Sequence, residues 1–238
     1  MTKLSVNVNK IATLRNARGG NIPNLVQFAI DCERFGADGI TVHPRPDERH
    51  ITREDTFMLS QAISTELNIE GYPDERFMSI VAECKPKQAT LVPDPPGVLT
   101  SCAGWEIKEN LILLKDVISE LKNLNTRVAL FIGTNLENIA LASSLGIDRI
   151  ELYTGPYAKE YKNDPISAIK HYKVAAQYAL SLGLEINAGH DLNLDNLGYF
   201  KLNIPELVEV SIGHALLSDA LYMGIESTIS EYKSCLKD

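Results

Sequence analysis

A (β/α)8 TIM barrel, an α/β fold of eight parallel strands ringed by helices, is predicted by three features of this sequence. Strand-like and helix-like segments alternate from end to end. One turn recurs in three near-copies, Phe35-Gly36-Ala37-Asp38, Leu145-Gly146-Ile147-Asp148 and Leu182-Gly183-Leu184-Glu185. Each places glycine where a helix C-cap needs a positive φ just before a strand. The length, 238 residues, is close to the roughly 250 that one barrel takes. Eight βα units in a chain this short fit closure better than a doubly wound open sheet, which is the alternative. No linker or low-complexity segment interrupts the pattern, so residues 1–238 are read as a single barrel domain.

In chain order, the β-type runs lie at about 3–9, 38–42, 67–71, 88–92, 126–132, 148–152, 184–188 and 206–211. Between them, stretches such as Leu25-Val26-Gln27-Phe28-Ala29-Ile30 and Asn110 through Ile118 repeat their apolar residues at helical spacing. The longest irregular stretch, Pro93 to Gly104, overhangs the active face of such a barrel, either as a lid or as a rigid Pro-rich turn.

Composition narrows the function. Hydrophobic residues make up 45% and charged residues 23%, ordinary for a globular protein with an ample core. A net charge of −8 and a pI near 5.2 argue against a nucleic-acid surface, while leaving room for a local basic pocket that binds phosphate. Cys32, Cys84, Cys102 and Cys235 show no C-x-x-C spacing and read as reduced thiols of a cytoplasmic protein. Asn7 and Asn9 interrupt any signal-like run at the start. No 18 successive apolar residues occur, so no membrane span is expected.

Four of the five histidines sit at or just beyond a predicted strand end. His43 follows Gly39-Ile40-Thr41-Val42, with His50 later in the same loop; His190 follows Asn187-Ala188-Gly189, and His214 follows Ser211-Ile212-Gly213. His171 lies in a polar helical stretch and reads as surface. Strand C-terminal ends form the ligand face of α/β barrels, so this placement reads as a reaction site. The same ends supply Asn7, Asn9 and Lys10, then Arg45, then Glu70, then Glu151, and then Asn187. Glu70 and Glu151 lie in or beside apolar strand segments, where burial raises a carboxyl pKa toward the range useful for proton transfer. The alternative for Glu151 is an ion pair with Arg149 or another arginine; for His43 it is a hydrogen-bonded core histidine.

Phosphate binding is the second theme. Barrels hold phosphate on backbone N–H groups after strands seven and eight, and here those loops read Ala188-Gly189-His190-Asp191 and Ile212-Gly213-His214-Ala215. Glycine allows close approach of an anion. Arg18, Arg45, Arg49 and His50 can charge a second site, although Arg49 and Arg53 read best as solvated loop charges. No H-x-H or H-E-x-x-H pattern suggests a metal. Lys10 is the one lysine placed for Schiff-base chemistry, since Lys85 and Lys87 precede strand four on the opposite face.

Taken together, Ile11-Ala12-Thr13-Leu14-Arg15-Asn16-Ala17-Arg18-Gly19, Gly36 through Arg45 with Arg49-His50-Ile51-Thr52, Asn68-Ile69-Glu70, Asn187-Ala188-Gly189-His190 and Ile212-Gly213-His214-Ala215 closely resemble the pyridoxine 5′-phosphate synthase family. The resemblance covers essentially the whole chain. It implies a (β/α)8 barrel, a homo-octamer built as a tetramer of dimers, and a ring-forming transferase of vitamin B6 biosynthesis. The implied reaction condenses 3-amino-2-oxopropyl phosphate with 1-deoxy-D-xylulose 5-phosphate to pyridoxine 5′-phosphate, phosphate and water, with no metal or organic cofactor. By resemblance, His43 and Glu70 are proton acceptors, His190 is the proton donor and Glu151 stabilises a charged transition state. Asn7, Arg18, Gly213 and His214 are implied to contact the amino-ketone phosphate, and Arg45, His50 and Thr100 the deoxyxylulose phosphate. The family's Asn-Ile-Asp-His after strand one is here Asn7-Val8-Asn9-Lys10, and its glycine after the strand-seven histidine is here Asp191. Asn9, Lys10 and Asp191 are therefore carried over as substrate-binding positions with altered chemistry. Two other readings of the same barrel are a metal-assisted sugar-phosphate epimerase or aldolase, and a phosphate-binding sensory protein without catalysis.

Overall fold

The computed structural model describes residues 1–94 and 103–237. Eight parallel strands close on themselves in chain order: β1 (Lys3–Asn7), β2 (Gly39–Val42), β3 (Glu66–Gly71), β4 (Gln88–Leu91), β5 (Arg127–Ile132), β6 (Arg149–Tyr153), β7 (Glu185–Gly189) and β8 (Leu207–Ile212), with β8 pairing back onto β1. The predicted barrel is therefore the observed one. The first strand is shorter than its sequence suggested. It ends at Asn7, and Asn9 already opens a helix, because the Asn7 side chain accepts the Asn9 N–H at 3.1 Å and turns the chain.

The helices are α1 (Asn9–Asn16), α2 (Leu25–Arg34), α3 (Arg53–Ala62), α4 (Glu75–Cys84), α5 (Leu111–Asn123), α6 (Leu136–Ser144), α7 (Gly155–Tyr161), α8 (Pro165–Ser181), α9 (Leu197–Asn203), α10 (His214–Met223) and α11 (Ile225–Cys235). Their starts are legible in the sequence. Asn24, Asp74, Asn135 and Asp164 each accept a backbone N–H of the first turn, and Thr52 with Asp55 forms a reciprocal capping box before α3. The three repeated glycines end α2, α6 and α8 with φ of +103°, +75° and +80°, as the turn sequence required. One helix per strand was expected; β1, β6 and β8 are each followed by two. The additional short helices α1 and α7 stand over the mouth of the barrel.

Strand residues alternate in an unusual sense. The apolar set (Leu4, Val6, Ile40, Val42, Ile69, Leu91, Leu130, Ile150, Leu152, Ile186, Val210 and their neighbours) is almost wholly buried and packs outward against helix residues such as Leu25, Ala29, Ile80, Leu114 and Ile139. The other parity is polar and fills the barrel lumen. Ser5 and Thr41 share a hydrogen bond at 2.7 Å, and Thr90 donates to Asn68 at 3.0 Å. Below them Arg149 donates to Glu185 at 2.6 Å and to Gln88 at 3.1 Å, and Arg127 reaches Gln88 and Glu66. Buried Glu209 accepts from Asn187 at 3.2 Å and lies 3.5 Å from Arg149. This lattice neutralises the barrel floor and leaves the mouth to carry the chemistry.

Trp105 is buried at the rim, donating to the Leu91 carbonyl at 2.9 Å and stacking on Tyr72. Cys32 and Cys84 are buried free thiols and Cys235 is half-buried; Cys102 lies outside the described residues, as does most of the proposed lid. Among the described residues, no helix is long and apolar enough to cross a membrane.

Candidate active site

An open cavity of about 960 Å³ occupies the C-terminal end of the barrel. Its wall brings together Asn7, Asn9 and Lys10 from β1 and α1, His43, Arg45, Arg49 and His50 from the loop after β2, Glu70 from β3, Glu151 from β6, His190 and Asp191 after β7, and Ser211, Gly213 and His214 at β8 and α10. Thus nearly all the predicted site residues share one cavity. Three do not. Arg18 is exposed in the turn after α1, outside the cavity wall, because the chain leaves the mouth through Gly19 and Gly20, both at positive φ. Asn187, read as a mouth residue, points lower into the lumen and serves Glu209. Thr100 lies outside the described residues.

Two carboxyls, Glu70 and Glu151, line the same cavity. Glu70 has only long contacts, 3.4 Å from Ser211 Oγ and 3.5 Å from Asn7 Nδ2, too weak to offset desolvation. Burial, reinforced by the charges of Asp94 and Glu209, pushes its pKa up to about 7. Glu151 is 3% exposed, and burial together with the charges of Glu70 and Glu209 raises its pKa well above the usual carboxylate range. The alternative of an ion pair with Arg149 is not realised: Arg149 is taken by Glu185 and Glu209, and Glu151 has no ion pair among the described residues. The two carboxyls therefore titrate as a pair. Glu70 lies nearer the open cavity, and its charge, after burial, holds the Glu151 pKa up.

The loop after β2 makes a cationic corner. Arg45 is 5% exposed and lies 3.8 Å from Asp94, the last described residue after β4. Arg49, read as a solvated charge, instead forms part of the cavity wall with its tip 3.7 Å from Asp47. Arg53 does stay outside, paired with Glu83 at 2.6 Å. Burial and then Arg45, His50 and Arg49 pull the His43 pKa down to about 3, and burial with Arg49 and Arg45 pulls that of His50 down to about 4. Both rings are neutral at pH 7. The Ile51 N–H donates to His50 Nδ1 at 2.8 Å, which leaves Nε2 to carry the proton. The loop is held from behind by Arg15, paired bidentately with buried Asp55, and by Asn16, which donates to the His50 carbonyl at 2.9 Å. Asn9 Oδ1 accepts the His43 N–H at 2.9 Å, so its side chain is spent on aligning β2 with α1. Lys10 is the second residue of α1 and reaches the cavity from a helix, not from a strand end.

The glycines of the two phosphate-type loops have reasons that the sequence did not show. A Cβ on Gly189 would stand 2.3 Å from Glu151 Oε1, so this glycine makes room for the buried carboxyl. A Cβ on Gly213 would stand 3.0 Å from the Asn7 side chain. Gly213 also caps α10, whose first turn faces the cavity and offers unpaired backbone N–H groups to an anion. Lys159 and Lys162, on and just after α7, complete the wall and were not picked out from the sequence. Their i, i+3 spacing after the Gly155-Pro156 helix start is the signal that could have found them. Among the described residues, no group of three or more His, Cys, Asp or Glu side chains is disposed to hold a metal ion.

The family model for "Pyridoxal phosphate biosynthesis protein PdxJ" matches residues 4–238. The chain belongs to this family. Pyridoxine 5′-phosphate synthase of Porphyromonas gingivalis is 58% identical over 236 residues, 99% of each chain, and that of Bacteroides fragilis is 57% identical over the whole of both chains. Among solved structures, tryptophan synthase from M. tuberculosis superposes with a TM-score of 0.68 at 11% identity, covering all of this chain and 93% of the other. Phosphoribosylanthranilate isomerase from Thermotoga maritima gives 0.61 at 12% identity, covering 99% and 98%. These two likenesses show the shared barrel alone. Both relatives are named as synthases, and the cavity at the barrel mouth is where such chemistry has to fit.

Proposed function

We propose that this chain is a pyridoxine 5′-phosphate synthase. It condenses 3-amino-2-oxopropyl phosphate with 1-deoxy-D-xylulose 5-phosphate to pyridoxine 5′-phosphate, with release of phosphate and water. The observation that carries this reading is a single cavity with two anion-binding corners flanking a pair of carboxyls with raised pKa values. One substrate brings its own primary amine, so the imine forms between substrates, and the protein's work is to hold two phosphates and move protons.

His43 and Glu70 are the proton acceptors. A pKa near 3 makes His43 a poor base in the empty cavity. A phosphate dianion settling among Arg45, Arg49 and His50 offsets the positive field and raises it, so substrate binding itself readies the base. Glu70, with its pKa near 7, takes a proton from carbon at neutral pH. Burial is the first cause of the raised Glu151 pKa and the Glu70 charge the second; once Glu70 is protonated that second cause is gone, and a cationic intermediate beside Glu151 offsets the burial. His190, across the mouth just after β7, delivers a proton to leaving oxygen. Asn7, Gly213 and His214 bind the amino-ketone phosphate, and Arg45 and His50 the sugar phosphate. Lys10 supplies a further hydrogen bond to the sugar phosphate. The family resemblance supports a homo-octamer, a tetramer of dimers, in the cytoplasm.

The test is direct. Purified protein with both substrates should form pyridoxine 5′-phosphate, and the rate should survive exhaustive chelation. Binding of the phosphates without turnover would overturn the reading in favour of a sensory barrel. Turnover abolished by chelation and restored by a divalent metal would favour the metal-assisted alternative.

A further inference from the structure

We propose that Asp191 is a positioning residue for His190, fixing its tautomer and turning its Nε2 toward the cavity. The inference rests on the reading of His190 as the proton donor. Its ground is the geometry of two successive residues. Asp191 Oδ2 lies 2.9 Å from His190 Nδ1, and both residues hold the left-handed backbone conformation, with φ of +83° at His190 and +61° at Asp191. Two consecutive non-glycine residues in that region are costly and persist only where their surroundings hold them.

The surroundings are visible. Thr154 Oγ1 donates to the Gly189 carbonyl at 2.7 Å and also contacts the His190 carbonyl. Buried Asn196 donates to the Asp191 carbonyl at 3.2 Å, and its own carbonyl is held by Tyr157 OH at 2.7 Å. The edge of Tyr153 meets the imidazole at 5.1 Å and fixes its plane. With the ring and loop clamped in this way, the carboxylate is the partner that Nδ1 faces. An Nδ1–H donated to Asp191 leaves Nε2 as the atom offered to substrate. The Asp191 carboxyl is held below its usual range, first by the hydrogen bond to His190, so it remains an anion at working pH. The sequence reading had placed Asp191 against a phosphate. An anion directed at His190 serves the proton donor and not a second anion.

The groups that face this pair are Glu70 from β3, Tyr153 from β6 and His214 from α10. Asp191→Asn keeps a residue that tolerates positive φ and removes the charge; Asp191→Gly removes the side chain and relaxes the backbone. Steady-state kinetics with both substrates and nitrogen NMR of labelled histidine together decide the matter. In both variants we expect kcat to fall about three- to tenfold, with KM for each substrate within about twofold. The His190 ring should lose its preference for the Nδ1–H form. Parental kcat and ring signals in both variants would overturn the proposal, as would a raised KM with intact kcat, which is the mark of substrate binding. His190→Asn separates the two levels. If it retains parental turnover, the donor role falls and the catalytic consequence with it, while the ring signals still report the pairing.

Discussion

Glu70→Gln joins the chemistry to the energetics of the site and gives the sharpest check on both. The parent carboxyl is pushed from 4.5 to about 7 by burial, with only two long contacts to help it ionise. A group whose folded pKa is raised binds its proton more tightly in the fold than in the unfolded chain. Its contribution to stability is full below about pH 4.5 and is lost as pH rises through 7. At about 1.36 kcal/mol per unit, the parent above pH 7 carries a penalty of at most about 3 kcal/mol, and cavity water on the open side reduces it toward about 1 kcal/mol. Glutamine has the same shape and no charge to bury. The variant should therefore melt several degrees higher than the parent at pH 8, taking about 2–4 °C per kcal/mol, and at the same temperature near pH 4.5. Turnover should fall by about 10²–10⁴-fold at every pH. The assays are pyridoxine 5′-phosphate formation at saturating substrates and thermal unfolding across the pH range. Activity within about threefold of the parent would refute the base assignment. A melting gap that does not widen between pH 4.5 and pH 8 would refute the burial argument that sets the pKa.

Lys10→Ala should weaken apparent affinity for the deoxyxylulose phosphate while saturated turnover stays within about tenfold, and Lys10→Arg should recover part of that affinity; loss of turnover in the arginine variant with binding intact would give Lys10 a chemical role. Lys159 and Lys162 are exposed on the wall of a cavity that must attract two phosphate esters into a chain of net charge −8. Replacing both by alanine should lower kcat/KM several-fold at low ionic strength, leave kcat near parental, and lose its effect in high salt, as stopped-flow or steady-state rates over a salt series would show; a salt-independent loss would mean direct contact instead.

Much of this molecule could be read before its structure. The strands were legible because residues such as Ile150 and Leu152 alternate with Arg149, Glu151 and Tyr153, and the helix ends because glycine at 36, 146 and 183 has no equal at positive φ. The histidines were legible because strand ends are places, and the barrel gives every such place the same mouth. What could not be read was where long side chains go once they leave a strand or a loop. Arg49 and Arg18 look alike in sequence, yet one joins the cavity wall and the other points away. Nothing local distinguishes Asn187 at the floor from Asn7 at the mouth, since both occupy inward strand positions and only the stagger of the barrel separates their heights. Gly189 seemed to wait for an anion and in fact yields space to Glu151 from the neighbouring strand, a contact 38 positions away in the chain. Asp191 could not be assigned to His190 without knowing that both backbones turn left-handed.

The polar lumen also fixes how accurately the barrel must assemble. In a barrel greasy on both faces, a strand displaced by one position still finds oil on either side, and the mistake costs packing only. Here a one-residue slip of β6 would turn Arg149 and Glu151 out among the helices and drop Ile150 and Leu152 into a network of amides and charges. The same holds for β3, β4, β7 and β8, whose inward residues complete one another's hydrogen bonds. Each strand thus carries its own phase marker, and a misregistered intermediate is penalised at once by several stranded charges. Error correction during folding is written into the same residues that later form the base of the reaction chamber.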